Sequence, residues 1–188
     1  EVVGECVGDD VAGGTVLDWS ARARLDVPTL RGLMLVVAEH AARWQQTSWA
    51  NDPKLEITIG GAERSASVVA GLQALRQCGA DDQDRVLIHD AARPAITGSD
   101  IQLLIAKVGD SPHGGLLAIP VRDSLKRADD AGEVSASVSR EQLWQALTPQ
   151  LFPLGALLSA YEHGSGIHFS DESQAMEQAG WGPLLVPG

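Results

Sequence analysis

The densest run of reactive side chains is His89-Asp90-Ala91-Ala92-Arg93-Pro94, which follows the apolar run 86–88. In an open α/β sheet, ligands bind beyond the carboxyl ends of the strands. Asp90 emerging there between small residues could hold a divalent cation on a phosphate. Arg93, fixed before a proline in backbone biased away from helix, offers a planar fork for carboxylate or phosphate. The competing explanation is an Asp–Arg pair that only closes a turn.

Gly60-Gly61-Ala62-Glu63-Arg64-Ser65-Ala66-Ser67 forms a second constellation between the apolar run 55–59 and a helical pattern. Two glycines at a strand end let a ligand approach the backbone, and the free N–H groups of the following helical turn can meet an anion or a base edge. Arg64 and Ser67 add a cation and a hydroxyl to that rim; the alternative is a plain strand-to-helix turn capped by Ser65. Further on, Asp123, Ser124, Lys126, Arg127, Arg140, Trp144 and Leu147-Thr148-Pro149-Gln150 gather basic and hydroxyl groups suited to a phosphorylated small molecule, unless they only keep an arm soluble. Ser170-Asp171-Glu172-Ser173 has the form of a capped helix start with an acidic first turn. His40, His113, His163 and His168 stand alone, and Cys6 and Cys78 fit no metal spacing and are expected to be reduced thiols.

The elements that must position these residues alternate along the chain. Strands are expected at 33–37, 55–59, 85–89, 116–119 and 184–186, and helices at 16–24, 64–77, 99–108, 154–163 and 172–178, where apolar residues recur every three or four positions. Strand–helix–strand repetition predicts a single α/β domain over 1–188 with a mostly parallel, buried sheet. One segment breaks the rhythm: 121–140 holds two polar, partly alternating stretches around Asp129-Asp130-Ala131-Gly132, the pattern of a β-hairpin. Poor in large apolar residues, it is expected to leave the body as an arm and embrace a partner chain, a solvated loop being the alternative.

Composition narrows the partners. Fourteen Lys and Arg against 25 Asp and Glu give a net charge of −11, which disfavours nucleic acid and anionic membranes. No apolar run approaches the roughly 18 residues of a membrane span, and 1–10 lacks the plan of a signal peptide, so the expected setting is cytoplasmic. All 14 cations lie between Arg22 and Arg140. An anionic ligand therefore needs a local cationic site against the global field.

Taken in order, GGAERSASVVAGL (60–72), HDAARP (89–94), PVRDSLKRA (120–128), LWQALTPQLF (143–152) and SDESQAME (170–177) closely resemble the 2-C-methyl-D-erythritol 4-phosphate cytidylyltransferases of the non-mevalonate isoprenoid pathway. The resemblance extends from about Thr15 to Gly188. It implies a Rossmann-like nucleotide-diphospho-sugar transferase fold, a homodimer joined by hairpin arms, and Mg²⁺-dependent transfer of CMP from CTP to methylerythritol phosphate with release of pyrophosphate. Carried over by motif, Gly61, Ala62 and Ser67 would meet the cytosine, and Arg64 would support their loop. Asp90 would lie at the metal and the α-phosphate, Ala91 would line the nucleotide, and Arg93 would hold the geometry, which makes Asp90 and Arg93 the candidate catalytic residues. Asp123, Ser124, Thr148 and Ser170 would line the acceptor site, with Ser124 and Ser170 standing where the family usually has threonine. Arg140 would enter from the neighbouring subunit. Ala62 replaces an acidic residue of some members, which leaves a main-chain contact to the base.

Two departures accompany the resemblance. The family's Ala-Ala-Gly-x-Gly-x-Arg loop with its following Pro-Lys-Gln, and its Asn-x-Lys-Val-Thr tail, have no counterpart among the 188 residues. The expectation is a complete protein that carries both and is less acidic than −11. The alternatives are a ribitol-5-phosphate cytidylyltransferase, which differs at the acceptor site, and a non-catalytic nucleotide-binding dimer.

Overall fold

The computed structural model describes residues 10, 11, 14–164 and 166–188. A short antiparallel ribbon, β1 (Asp10–Val11) with β2 (Gly14–Thr15), leads into α1 (Val16–Leu25). Thr15 caps that helix: its Oγ1 accepts from Asp18 N, while the Asp18 carboxylate accepts from Thr15 N at 2.8 Å, a reciprocal box that satisfies two otherwise orphaned donors. Residues 1–9, and with them Cys6 and the departure from the family's first loop, lie outside the described residues.

β3 (Leu33–Val37) pairs in parallel with β4 (Leu55–Ile59), and a 3₁₀ turn at Arg43–Gln46 lies between them. α2 (Arg64–Gln77) packs back on both strands. A four-stranded sheet follows in the order β10–β6–β9–β5, formed by β5 (Arg85–Ile88), β6 (Gly115–Pro120), β9 (Trp144–Pro153) and β10 (Leu184–Pro187). β10 runs parallel to β6, whereas β9 runs antiparallel to both β5 and β6. The expected parallel direction therefore holds for β5, β6 and β10, with β9 reversed between them.

The expected strands and helices appear within a residue or two at each end, but β9 was not among them. Its sequence, WQALTPQLFP, carries a proline at a position where a central strand needs a ladder donor. The sheet accommodates Pro149 at an irregularity: Leu116 faces Gln150 and Ala118 faces Ala146, so residues 147–149 stand opposite Leu117 alone.

α3 (Gly98–Val108) begins with a capping box on Thr97 and Asp100 and covers one face of the sheet, burying Leu104 and Val108 with Leu117, Leu151 and Val186. α4 (Leu154–His163) and α5 (Glu172–Gln178) enclose the largest core with α2; it contains Leu72, Ile88, Phe152, Leu157, Phe169 and Met176. β7 (Leu125–Ala128) and β8 (Val134–Val138) form the expected hairpin, turned at Gly132 with φ +81°. Its residues are almost all exposed, Val134 by 66%. Among the described residues no helix is long and apolar enough to cross a membrane.

Candidate active site

The glycine-bearing loop after β4 and the aspartate-bearing loop after β5 meet at the edge where Arg64 reaches Asp90. After β4, Gly60 and Gly61 turn beneath the start of α2. Ser67 Oγ accepts from Gly61 N at 3.0 Å and donates to Glu63 O at 3.0 Å. The helix starts at Glu63 without a side-chain cap, so Ser65 does not cap it, and buried Ser67 ties the loop from within the first turn. A Cβ on Gly61 would stand 2.5 Å from Ala66 Cβ, so the loop's tightness requires glycine there.

Arg64 reaches across to the loop after β5. Its Nη1 donates to Glu172 Oε1 at 2.7 Å and its Nη2 to Glu172 Oε2 at 3.1 Å, a two-pronged pair with a carboxylate that is 0% exposed. Nε and Nη2 also point to Asp90 Oδ1, at 3.4 and 3.2 Å. Asp90 Oδ2 meets Arg93 Nε at 3.2 Å, so each oxygen of that carboxylate faces one guanidinium. Burial opposes the Arg64 charge, but Glu172 first and then Asp90 outweigh it and push its pKa further above its ordinary range. Tyr161 donates to Glu172 Oε1 at 3.2 Å; burial and then that carboxylate's charge push its phenol well above the usual range, keeping it a donor.

Three further groups fix Asp90. Its backbone N–H donates to Thr148 Oγ1 of β9 at 3.4 Å, buried Ala91 O accepts from Ser20 Oγ at 2.6 Å, and His89 Nε2 donates to Arg93 O at 2.9 Å. From β9, Gln150 Oε1 accepts from Ser173 N at 2.8 Å while its Nε2 donates to Asp171, the α5 cap. Through Gln150, β9 thus orients the first turn of α5 and Glu172 within it.

Of the residues singled out in the sequence, Gly61, Ala62, Arg64, Ser67, Asp90, Ala91, Arg93 and Thr148 come together at this edge. Asp123 and Ser124 are exposed at the base of the arm, Arg140 is exposed where the arm rejoins the body, and Ser170 is exposed before α5. None of these four has a side-chain hydrogen bond to the Asp90 cluster among the described residues. His113 packs edge-on against Trp181, and Cys78 is a free, exposed thiol. A cavity of about 970 Å³ lies elsewhere, between β3 and β5, with Met34, Leu72, Val86 and Leu154 in its lining and none of Arg64, Asp90, Arg93 or Thr148.

The model of the 2-C-methyl-D-erythritol 4-phosphate cytidylyltransferase family matches residues 9–188. This chain belongs to that family. A cytidylyltransferase of this name from Ectopseudomonas mendocina is 46% identical over 180 residues, 95% of this chain and 77% of the relative. One from Pseudomonas aeruginosa is 44% identical over 181 residues, with the same coverage. Among solved structures, a 4-diphosphocytidyl-2C-methyl-D-erythritol synthase superposes with a TM-score of 0.90 at 32% identity, covering all of this chain and 86% of that one. The Thermus thermophilus cytidylyltransferase gives 0.82 at 25% identity, covering 100% and 88%. The fold is therefore that of a cytidylyltransferase, and the chain is a nucleotidyltransferase by family.

Sequence reasoning missed Glu172 and Tyr161 as members of this cluster and named Gln150 only within the run 147–150, without its tie to α5. Glu172 had a visible signal, since it shares the i, i+3, i+4 stripe with buried Ala175 and Met176 and so belongs to the apolar face of α5. Tyr161 and Gln150 carried none, because their roles depend on the packing of α4 and β9 against that helix.

Proposed function

We propose that this chain transfers CMP from CTP to 2-C-methyl-D-erythritol 4-phosphate, giving 4-diphosphocytidyl-2-C-methyl-D-erythritol and pyrophosphate for isoprenoid precursor synthesis. The observation that carries the reading is the meeting of Arg64, Asp90 and Arg93 at one strand edge beside Thr148, in a chain of this family. An acceptor phosphate oxygen attacks the α-phosphorus of CTP in line. The bond from that phosphorus to the bridging oxygen breaks, and its electron pair leaves with pyrophosphate. Such a displacement depends on positioning and charge compensation and needs no covalent enzyme intermediate.

Gly61 and Ala62 present main-chain groups to the cytosine, on a loop that Ser67 ties and Arg64 supports. Ala91 lines the nucleotide, Asp90 faces the α-phosphate, and Arg93 keeps Asp90 in place. Among the described residues no group of three or more His, Cys, Asp or Glu gathers, and Asp90 offers a single partly exposed carboxylate. That suits Mg²⁺, which keeps waters and takes its other ligands from phosphate oxygens. Bound there, it supplies charge neutralisation on the triphosphate.

Asp123, Ser124, Thr148 and Ser170 line the acceptor site of this single domain. The arm 121–140 joins two chains as a homodimer and brings Arg140 to the partner's acceptor phosphate; a two-stranded hairpin this exposed gains its stability by pairing with a second chain. Kinetics of Arg140→Ala test the assignment. The acceptor KM should rise at least about tenfold with the CTP KM unchanged, as for a lost charge-assisted contact. An unchanged acceptor KM contradicts the role across the interface, and faster turnover of ribitol 5-phosphate than of methylerythritol phosphate contradicts the acceptor.

A further inference from the structure

We propose that Glu172 is a positioning residue that keeps Arg64 paired so that Asp90 is free to leave Arg64 for a nucleotide-bound divalent cation, an inference that rests on the assignment of Asp90 above. Arg64 is shared unequally. Toward Glu172 it makes two contacts to two oxygens, at 2.7 and 3.1 Å; toward Asp90 it makes longer ones, at 3.2 and 3.4 Å, to a single oxygen.

The two carboxylates also differ in what else can compensate them. Glu172 is wholly buried, with Arg64 as its ion-pair partner and Tyr161 as a neutral donor, so parting from Arg64 would leave a buried charge uncompensated. Asp90 has 29% of its side chain exposed and can exchange a guanidinium for a hydrated cation at little cost. Glu172 therefore retains Arg64 when Asp90 turns away. Without the Glu172 charge, Asp90 becomes the sole carboxylate of Arg64, that pair tightens, and a cation must compete with it.

Mn²⁺ binding to the protein–CTP complex, followed by electron paramagnetic resonance of free Mn²⁺, tests this without turnover. Glu172→Gln should weaken Mn²⁺ about tenfold, whereas Tyr161→Phe, which leaves the carboxylate charged, should stay within about twofold. In an Arg64→Ala background the Glu172→Gln effect should vanish, because the guanidinium that competes for Asp90 Oδ1 is gone while Arg93 on Oδ2 is the same with and without Glu172. A residue that only anchors α5 would lower the melting temperature and leave Mn²⁺ affinity unmoved; that result, or equal weakening in both backgrounds, overturns the proposal. If Glu172→Gln does not fold, a crystal structure of the wild-type protein with CTP and Mn²⁺ decides. Arg64 on Glu172 with Asp90 turned to the ion supports the proposal, and Asp90 still on Arg64 overturns it. Glu172-dependent Mn²⁺ binding without transfer to methylerythritol phosphate would refute the acceptor reading and leave this one standing.

Discussion

At the scale of single residues, the site is built by side chains that hold backbone as much as by side chains that face ligand. Ser67 spends its hydroxyl on Gly61 N and Glu63 O, which shapes the loop assigned to the cytosine. Ser67→Ala removes both bonds and should cost about 1 kcal/mol in urea unfolding, with a several-fold rise in the CTP KM. Gly61→Ala should cost more, roughly 1–3 kcal/mol, because the new methyl meets Ala66 Cβ at 2.5 Å and the loop must shift. Equal CTP KM values in wild type and both variants would contradict the loop's assignment. Arg64, Asp90 and Arg93 were legible in the sequence as types at a strand edge. The sharing of Arg64 between Asp90 and Glu172 was not, because the stripe that places Glu172 with Ala175 and Met176 does not say which cation it meets until the packing of α5 is known.

At the scale of elements, spacing located five helices and five strands, because apolar periodicity and length separate them where each has one buried face. β9 escaped for a physical reason. Its second half is buried on both faces, so it shows no alternation, and Pro149 breaks the ladder where the register shifts. Its placement makes Gly114 a sensitive position: φ is +68° and an added Cβ would stand 2.5 Å from Leu151 O on β9. Gly114→Ala should destabilise the fold by roughly 1–3 kcal/mol in denaturant titration.

Helix α1 gives a pH-dependent counterpart. Burial raises the Asp18 pKa, but hydrogen bonds from Thr15 and Trp49, with Arg22 nearby, outweigh it and hold the carboxyl below its ordinary value. A depressed folded pKa stabilises fully above the unfolded value of about 3.9, and the contribution is lost as pH falls through the folded value. Asp18→Asn should therefore lower the urea midpoint at pH 7, and the gap from wild type should shrink below about pH 4. A gap constant from pH 7 to pH 3 would contradict the role of the charged cap.

At the scale of the whole molecule, the sequence showed the arm and the uneven distribution of charge, while assembly depends on surfaces that one chain cannot display. The β7–β8 hairpin buries almost nothing against its own body, so replacing residues 125–138 with a short turn should leave the fold's melting temperature nearly unchanged. It should also convert a dimer to a monomer in sedimentation. A monomeric wild-type protein would contradict the assembly. In a molecule with a net charge of −11, Arg64 and Arg93 meet at Asp90, and cytidylyl transfer is the claim on which the other assignments depend. The most direct measurement is pyrophosphate release from CTP and Mg²⁺ with and without 2-C-methyl-D-erythritol 4-phosphate. Release that requires the acceptor and is lost in Asp90→Ala is predicted; a folded protein that binds CTP but releases no pyrophosphate with this acceptor would contradict the account.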